Sequence, residues 1–286
     1  MGIFKAAAVQ MRSGKEPGRN VVDFEALVRD AAGKGATYVQ TPEMTGAIIR
    51  DKADRAAAFK SEKEDVVVAA ARRLSAELGI YLHVGSTGIL RDDGKIANRA
   101  FLFTPDGSLA ARYDKIHMFD VDLDNGESWR ESATYEPGRE ALVADIGVAK
   151  LGFAICYDLR FPQLFRAEAL AGAEVLTVPA AFTRQTGQAH WHILQRARAI
   201  ENGAFMVSAA QGGVHEDGRE SYGHSIIVDP WGRVLAEAGN EPGVSLAKID
   251  LAEVANARTR IPSLRHTRPF TVETWQAERP QRDAAE

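Results

Sequence analysis

The sequence predicts an α/β protein, a system of mixed sheets covered by helices, and three observations predict it. Short apolar runs alternate with helix-like stretches for most of the length, as βαβ units require. The turns Thr104-Pro105-Asp106-Gly107-Ser108 and Asp229-Pro230-Trp231-Gly232 carry hairpin chemistry and add antiparallel pairs. The 286 residues show neither a repeat nor a linker, so they read as one domain over residues 1–275 followed by a polar tail over 276–286.

Taken in order, residues 3–9 read as a strand. Residues 20–32 read as a helix capped by Asn20, with Asp23 in its first turn, Val21, Phe24, Leu27 and Val28 on one face, and Gly33 as its stop. Residues 37–40 form a short strand. An amphipathic helix over 66–78 is closed by Gly79 and followed by a strand over 80–84. Strands over 100–103 and 109–117 flank the first turn, and further strands fall at 150–155, 174–178, 204–210 and 224–228. Helices over 163–171 and 190–200 connect them. The basic stretch 258–268 is interrupted by Ile261, Pro262 and Leu264 and reads as a tail segment carrying surface charge.

Composition excludes several function classes. With 45% hydrophobic and 26% charged residues the chain fits a soluble globule. A formal net charge of −4 argues against nucleic acid, whose phosphates need clustered positive charge. No run approaches membrane-spanning length, and the apolar run after Met1 is too short for a signal peptide. Gly2 lacks the Ser or Thr that myristoylation wants at position 6, which is Ala6. One cysteine excludes an internal disulfide and a cysteine-cluster metal site. The expected setting is cytoplasmic.

That single thiol, Cys156, follows the apolar run 151–155 and precedes Tyr157-Asp158-Leu159-Arg160-Phe161-Pro162, where a helix begins. Strand, sharp turn and helix is a geometry that presents a nucleophile, with N–H groups near the helix start available to an oxyanion. The same electropositive end favours thiolate. A buried structural cysteine fits the position equally well. Of the histidines, His117, His190, His192, His215 and His224 are candidate bases, and none stands in a pattern that marks it. His190 and His192, two apart on a helix, face different ways and make a poor metal pair. Glu43 and Lys115 each end a strand, at the lip where α/β proteins place chemistry. Singly, either reads as a solvated surface group.

Together the segments Gln40-Thr41-Pro42-Glu43-Met44, Tyr113-Asp114-Lys115-Ile116-His117-Met118-Phe119-Asp120 and Gly152-Phe153-Ala154-Ile155-Cys156-Tyr157-Asp158-Leu159-Arg160-Phe161-Pro162 resemble the nitrilase superfamily of carbon–nitrogen hydrolases. The likeness runs from about Lys5 to Phe270 and includes Thr186-Gly187-Gln188-Ala189-His190-Trp191 and Tyr222-Gly223-His224-Ser225. It implies a four-layer αββα sandwich and a catalytic set of Glu43 as base, Lys115 as oxyanion holder with the Tyr157 N–H, and Cys156 as nucleophile. Glu131, before Pro137-Gly138, would orient substrate and Lys115. Phe119, Phe182 and Thr186 would line the pocket. Arg160 offers a planar match to a substrate carboxylate, or else a salt bridge bracing the cysteine turn, which Asp158 would also brace.

The resemblance further implies a small-molecule amide substrate, no metal or organic cofactor, and a homodimer or larger assembly pairing across the helices after Phe161 and around 190–202. The branch it most resembles holds deaminated-glutathione amidases and ω-amidases. Gln188, where that branch usually has Pro, and the loop 122–126 depart from it and bear on substrate identity. The rivals within the superfamily are a nitrilase, a carbamoyl-amine hydrolase and an aliphatic amidase; outside it, a non-catalytic binding protein on the same scaffold. A calcium module is a further alternative. Asp120, Asp122, Asp124 and Glu131 fall at positions 1, 3, 5 and 12 of an EF-hand loop, but Asn125 replaces its glycine and the preceding segment reads as strand.

Overall fold

The structure is a computed structural model, and it describes residues 2–123, 126 and 128–276. The first half of the chain gives β1 (Ile3–Gln10), α1 (Pro17–Gly33), β2 (Tyr38–Gln40), α2 (Lys52–Ala58), α3 (Val66–Leu78), β3 (Tyr81–Leu90), β4 (Ile96–Phe103), β5 (Leu109–Asp114), β6 (Asp120–Asp122) and β7 (Ser128–Arg130). The second gives β8 (Val143–Asp145), β9 (Lys150–Phe153), α4 (Pro162–Leu170), β10 (Val175–Thr177), α5 (Arg184–Asn202) and β11 (Phe205–Ser208). It ends with β12 (Gly212–Val214), β13 (Glu220–Tyr222), β14 (Ile226–Val228), β15 (Val234–Glu237), β16 (Gly243–Asp250) and α6 (Ala252–Arg260).

Two six-stranded mixed sheets form, ordered β16-β1-β2-β3-β4-β5 and β15-β14-β11-β10-β9-β8. Alternation along the strands explains how they stack. In β1, Ala6 and Ala8 face the second sheet while Ala7 and Val9 face α1 and α3. In β4, Ala100 and Leu102 take the inner side, and Phe101 and Phe103 the helix side. Strands covered on both faces read as continuous apolar runs, which is why the pattern predicts buried rather than half-exposed strands. Each fully buried Phe contributes about 2 kcal/mol relative to an exposed one. With α4 and α5 covering the far sheet, the layers run helix, sheet, sheet, helix. This is the αββα sandwich expected.

Several boundaries differ for local reasons. Helix α1 begins at Pro17, whose missing N–H is no loss in a first turn. Asn20 therefore lies inside the helix rather than capping it, and its buried amide binds Gly14 N (2.8 Å), Gly14 O (3.0 Å) and Gly46 O (2.8 Å). Helix α3 keeps its expected bounds, capped by Asp65 on the N–H groups of Val67 and Val68 and ended by left-handed Gly79. Helix α5 starts six residues before the expected 190, at Arg184. The basic stretch is only partly a surface tail: α6 runs to Arg260, and half-buried Arg258 donates to Asn202 O (3.1 Å) and Ala173 O (2.6 Å). Of the expected polar tail 276–286, only Gln276 lies within the described residues, and it is exposed. No helix among the described residues is long and apolar enough to cross a membrane.

Candidate active site

Glu43 follows β2 and Lys115 follows β5, in one sheet; Cys156 follows β9, in the other. Close backbone approaches fix the first two. A Cβ on Gly85 in β3 would sit 2.0 Å from Thr41 O, so only glycine lets β3 press on the loop that carries Glu43. A Cβ on Gly138 would sit 2.1 Å from Asp114 O, and the Gly138 N–H donates to Lys115 O at 2.8 Å. Cys156 begins a 3-10 helix with φ +50°, and its N–H is held by Pro179 O at 2.9 Å. Met44, beside Glu43, is also left-handed at φ +54°. Such conformations cost of order 1 kcal/mol or more each and persist where packing over-determines them.

Side chains from the two sheets then meet. Lys115 Nζ donates to Glu43 Oε1 (2.9 Å) and to Glu131 Oε1 (3.0 Å) and Oε2 (2.8 Å). The Cys156 thiol lines the same cavity, close enough for its charge state to depend on Glu43 and Lys115. Buried Asn98 donates to Glu43 Oε1 (2.9 Å) and Glu131 Oε1 (3.2 Å). The Ala181 N–H donates to Glu43 Oε2 (2.8 Å), and the Phe119 N–H to Glu131 Oε2 (2.7 Å).

The charges follow from these contacts. Burial alone would raise the Glu43 pKa, but the Lys115 ammonium, the thiol and Asn98 together hold it below the ordinary carboxylate value. Burial works against the charge on Lys115, and the Glu131 and Glu43 carboxylates outweigh it, keeping the amine firmly protonated. Burial and the Glu43 carboxylate push the Cys156 thiol well above its ordinary value. The resting site is carboxylate, ammonium and thiol. This reverses the expectation of a thiolate favoured by a helix start. Helix α4 begins only at Pro162, after the cysteine turn.

These groups line one cavity of about 220 Å³, together with Phe119, Tyr157, Phe182 and Thr186. The Tyr157 N–H is among the first of its short helix, which have no acceptor within the helix. Asp158 fastens the turn, accepting from Ile155 N (2.9 Å), Tyr113 OH (2.7 Å) and His117 N (2.9 Å). Arg160 does not line the cavity. Its guanidinium lies over the Tyr157 and Phe182 rings, at 5.8 and 5.4 Å, and donates to His190 Nδ1 at 3.3 Å. Among the described residues it forms no salt bridge, so the bracing role falls to Asp158. No described histidine lines the cavity either.

The sequence missed Asn98, the Ala181 N–H and the cavity's arginines, Arg50, Arg55, Arg130 and Arg219. A lone Asn in the apolar strand β4 was the one available signal. The calcium alternative finds its carboxylates committed elsewhere. Asp120 accepts from the Ser132 N–H, Asp122 pairs with Arg130 at 2.8 Å, and Glu131 holds Lys115; Asp124 and Asn125 lie outside the described residues. Away from the cavity, His192 and His224 both meet Glu237 Oε1, at 2.8 and 2.7 Å, the one described trio with metal-type donors.

A thiol beside an ionised carboxylate and a clamped ammonium, set between the sheets of an αββα sandwich, defines the cysteine-dependent carbon–nitrogen hydrolases as a class. Comparison with known proteins agrees: the carbon-nitrogen hydrolase family pattern matches residues 5–259, and the chain belongs to that family, within the nitrilase superfamily. It is 38% identical to a deaminated glutathione amidase of Yersinia enterocolitica, over 92% of each chain. It is 35% identical to omega-amidase NIT2 of Mus musculus, over 96% of this chain and 99% of that one. The NitFhit protein of C. elegans superposes with a TM-score of 0.87 at 33% identity, over 94% of this chain and 66% of that longer one. The chain is thus a carbon–nitrogen hydrolase of the branch that holds deaminated-glutathione amidases and omega-amidases.

Proposed function

We propose that the protein hydrolyses a small carboxylate-bearing amide, deaminated glutathione or an α-keto-acid ω-amide, through a thioester on Cys156. The observation that carries this is the convergence of the Cys156 thiol, the Glu43 carboxylate and the Lys115 ammonium in one buried cavity. Glu43 takes the thiol proton as sulfur attacks the amide carbon. The carbonyl oxygen gains the negative charge and is met by Lys115 and the Tyr157 N–H, each such donor contributing about 3 kcal/mol. The carbon–nitrogen bond breaks, and the amine or ammonia leaves with the proton from Glu43. Glu43 then takes a proton from water, hydroxide attacks the thioester, and the acid departs as the thiol re-forms.

Glu131 keeps Lys115 charged and aimed, while Phe119, Phe182 and Thr186 line the substrate pocket. Arg160, stacked on two of the rings near that pocket, is held back from the cavity wall and meets a carboxylate only if its guanidinium turns inward. The exposed apolar side chains of Leu170 on α4 and of Ile193 and Ile200 on α5 support a second copy of the chain docking there. Sedimentation of Leu170→Glu against wild type tests that pairing, with a shift to monomer expected.

Mass spectrometry of Cys156→Ala and Cys156→Ser with a panel of amides, keto-acid amides and nitriles tests the chemistry. Cys156→Ala should retain the fold and lose turnover. Activity near wild type would overturn the assignment, and ammonia from nitriles would move the protein to another branch.

A further inference from the structure

The cavity holds more positive charge than this chemistry uses. Lys115 is met by Glu43 and Glu131, and Arg130 by Asp122, but Arg50, Arg55 and Arg219 also line the cavity. The guanidinium carbons of Arg219 and Arg50 lie 4.5 and 5.2 Å from the centre of one ring, Trp129, and that of Arg55 lies 6.0 Å from the centre of Tyr135. Among the described residues, neither Arg50 nor Arg55 has a carboxylate oxygen within 4.0 Å, and Arg219 has a loose partner only, Asp217 Oδ2 at 3.6 Å. The Nε atoms of Arg55 and Arg219 are both shielded from solvent and lack an acceptor. A shielded cationic donor left unpaired is costly, and a planar guanidinium fork matches a carboxylate.

Position says which part of a substrate would bring that carboxylate. An aromatic row leads away from the nucleophile: Tyr157 beside Cys156, then Phe119 at 5.2 Å, then Trp129 at a further 6.3 Å, where Arg219 stands. Arg50 and Arg55 come from the chain just after Glu43, and Tyr135 packs in one cluster with Met44, Ala47, Ile48 and Ile49 of that same stretch. The departing nitrogen must meet Glu43 to receive its proton. Whatever the nitrogen carries therefore leads toward the arginines, while Phe182 and, in the first turn of α5, Thr186 line the same cavity.

We propose that Arg219, with Arg55 and Arg50, holds a carboxylate carried by the departing amine. On the amidase reading, from which this follows, the preferred substrate is an amide whose amine part is an amino acid or short peptide with a free C-terminus. An amide that releases only ammonia leaves these arginines empty.

Steady-state kinetics on N-succinyl-glycylglycine, its C-terminal methyl ester and succinamate test it. Wild type should prefer the free acid over the ester by about ten- to hundredfold in kcat/KM, the range of a hydrogen bond to a charged group. Arg219→Gln should erase that preference through KM, and Arg219→Lys should restore part of it. Arg55→Gln should reduce it independently, which keeps the test alive if Arg219→Gln does not fold. Equal losses on acid and ester would show a structural role and overturn the proposal, as would an unchanged ratio. Hydrolysis of none of the three by wild type would sink the amidase reading itself, whereas hydrolysis without any acid-over-ester preference sinks only the role of the arginines.

Discussion

At the floor of the cavity Lys115 is 2% exposed and gives its ammonium to two carboxylates, both of which Asn98 also holds. At the wall, Arg55 and Arg219 keep shielded nitrogens without acceptors, on a seven-residue helix and a short hairpin. The floor is made from the ends of sheet strands and tied by backbone N–H groups; the wall is made from segments outside the two six-stranded sheets. A site whose groups are satisfied before substrate arrives can do chemistry without rearranging. A site with donors still unpaired waits for a ligand to complete it. On the proposed reading, reaction falls to the strand ends and selectivity to the segments above them.

The sharpest way to break this division is Glu43→Gln. The amide keeps the shape but neither takes the thiol proton nor delivers one to the amine, so kcat should fall by at least about a thousandfold with KM little changed. In wild type, Lys115 and its neighbours hold Glu43 below the ordinary carboxylate value, so the acid limb of kcat/KM should lie below about pH 4.5. An acid limb near pH 6 would mean that the floor is not preset.

Stability gives a second test, beneath the floor. His83 O accepts from the Thr41 N–H at 3.0 Å, and its ring is fully buried, with its pKa lowered by burial to about 3. As pH falls through 6.5 the unfolded chain takes a proton on this ring and the folded chain does not, so stability falls with pH between 6.5 and 3. The slope from this group is about 1.4 kcal/mol per pH unit. Urea unfolding at pH 7 and pH 5 should show about 2 kcal/mol less from it at the lower pH, and His83→Gln should remove that share. An undiminished slope in the variant would place the proton uptake elsewhere, with buried His215, also lowered by its burial, next in line.

Asn98→Ala should have a smaller effect, still on the floor. It deletes one amide that holds both carboxylates, leaving Lys115 to keep them in place. A ten- to hundredfold drop in kcat with KM within about threefold is expected, together with an acid limb moved upward, because Asn98 helps hold Glu43 ionised. A purely structural Asn98 would lower the melting temperature and leave the pH profile where it was.

What the sequence revealed divides along the same line. Glu43, Lys115 and Cys156 each stand near the end of an expected strand inside a recognisable motif, and the structure brings them together. Their charges were not legible, because they depend on which neighbour touches which after burial: Lys115 helps hold Glu43 ionised, while burial and the Glu43 carboxylate keep Cys156 a thiol where a helix start suggests thiolate. Asn98 stands in β4 outside any motif that would tie it to the site. Arg50 and Arg219 stand far apart along the chain and meet only over Trp129, so nothing local announces them. The strand β16 escaped for the same reason, since its partner β1 lies at the opposite end of the sequence, paired Ile3 with Asp250 through Gln10 with Gly243.

The smallest effect expected belongs to the wall's one satisfied arginine. Arg130 pairs with Asp122 at 2.8 Å across the β6–β7 hairpin, with about half or more of each side chain in solvent. Exposed pairs of this kind contribute about 0–1 kcal/mol, since water screens the attraction and ordering two long side chains offsets it. Arg130 also donates to Val121 O and Trp129 O, so its loss loosens the strand that carries Trp129 without removing a charge that any substrate needs. Arg130→Ala should therefore change stability by less than about 1 kcal/mol and kcat by less than about twofold, with any effect appearing in KM. A large loss in kcat would show that the hairpin holds the floor as well as the wall, through Glu131 directly after it, and the line between reacting and selecting groups would have to be redrawn at Arg130.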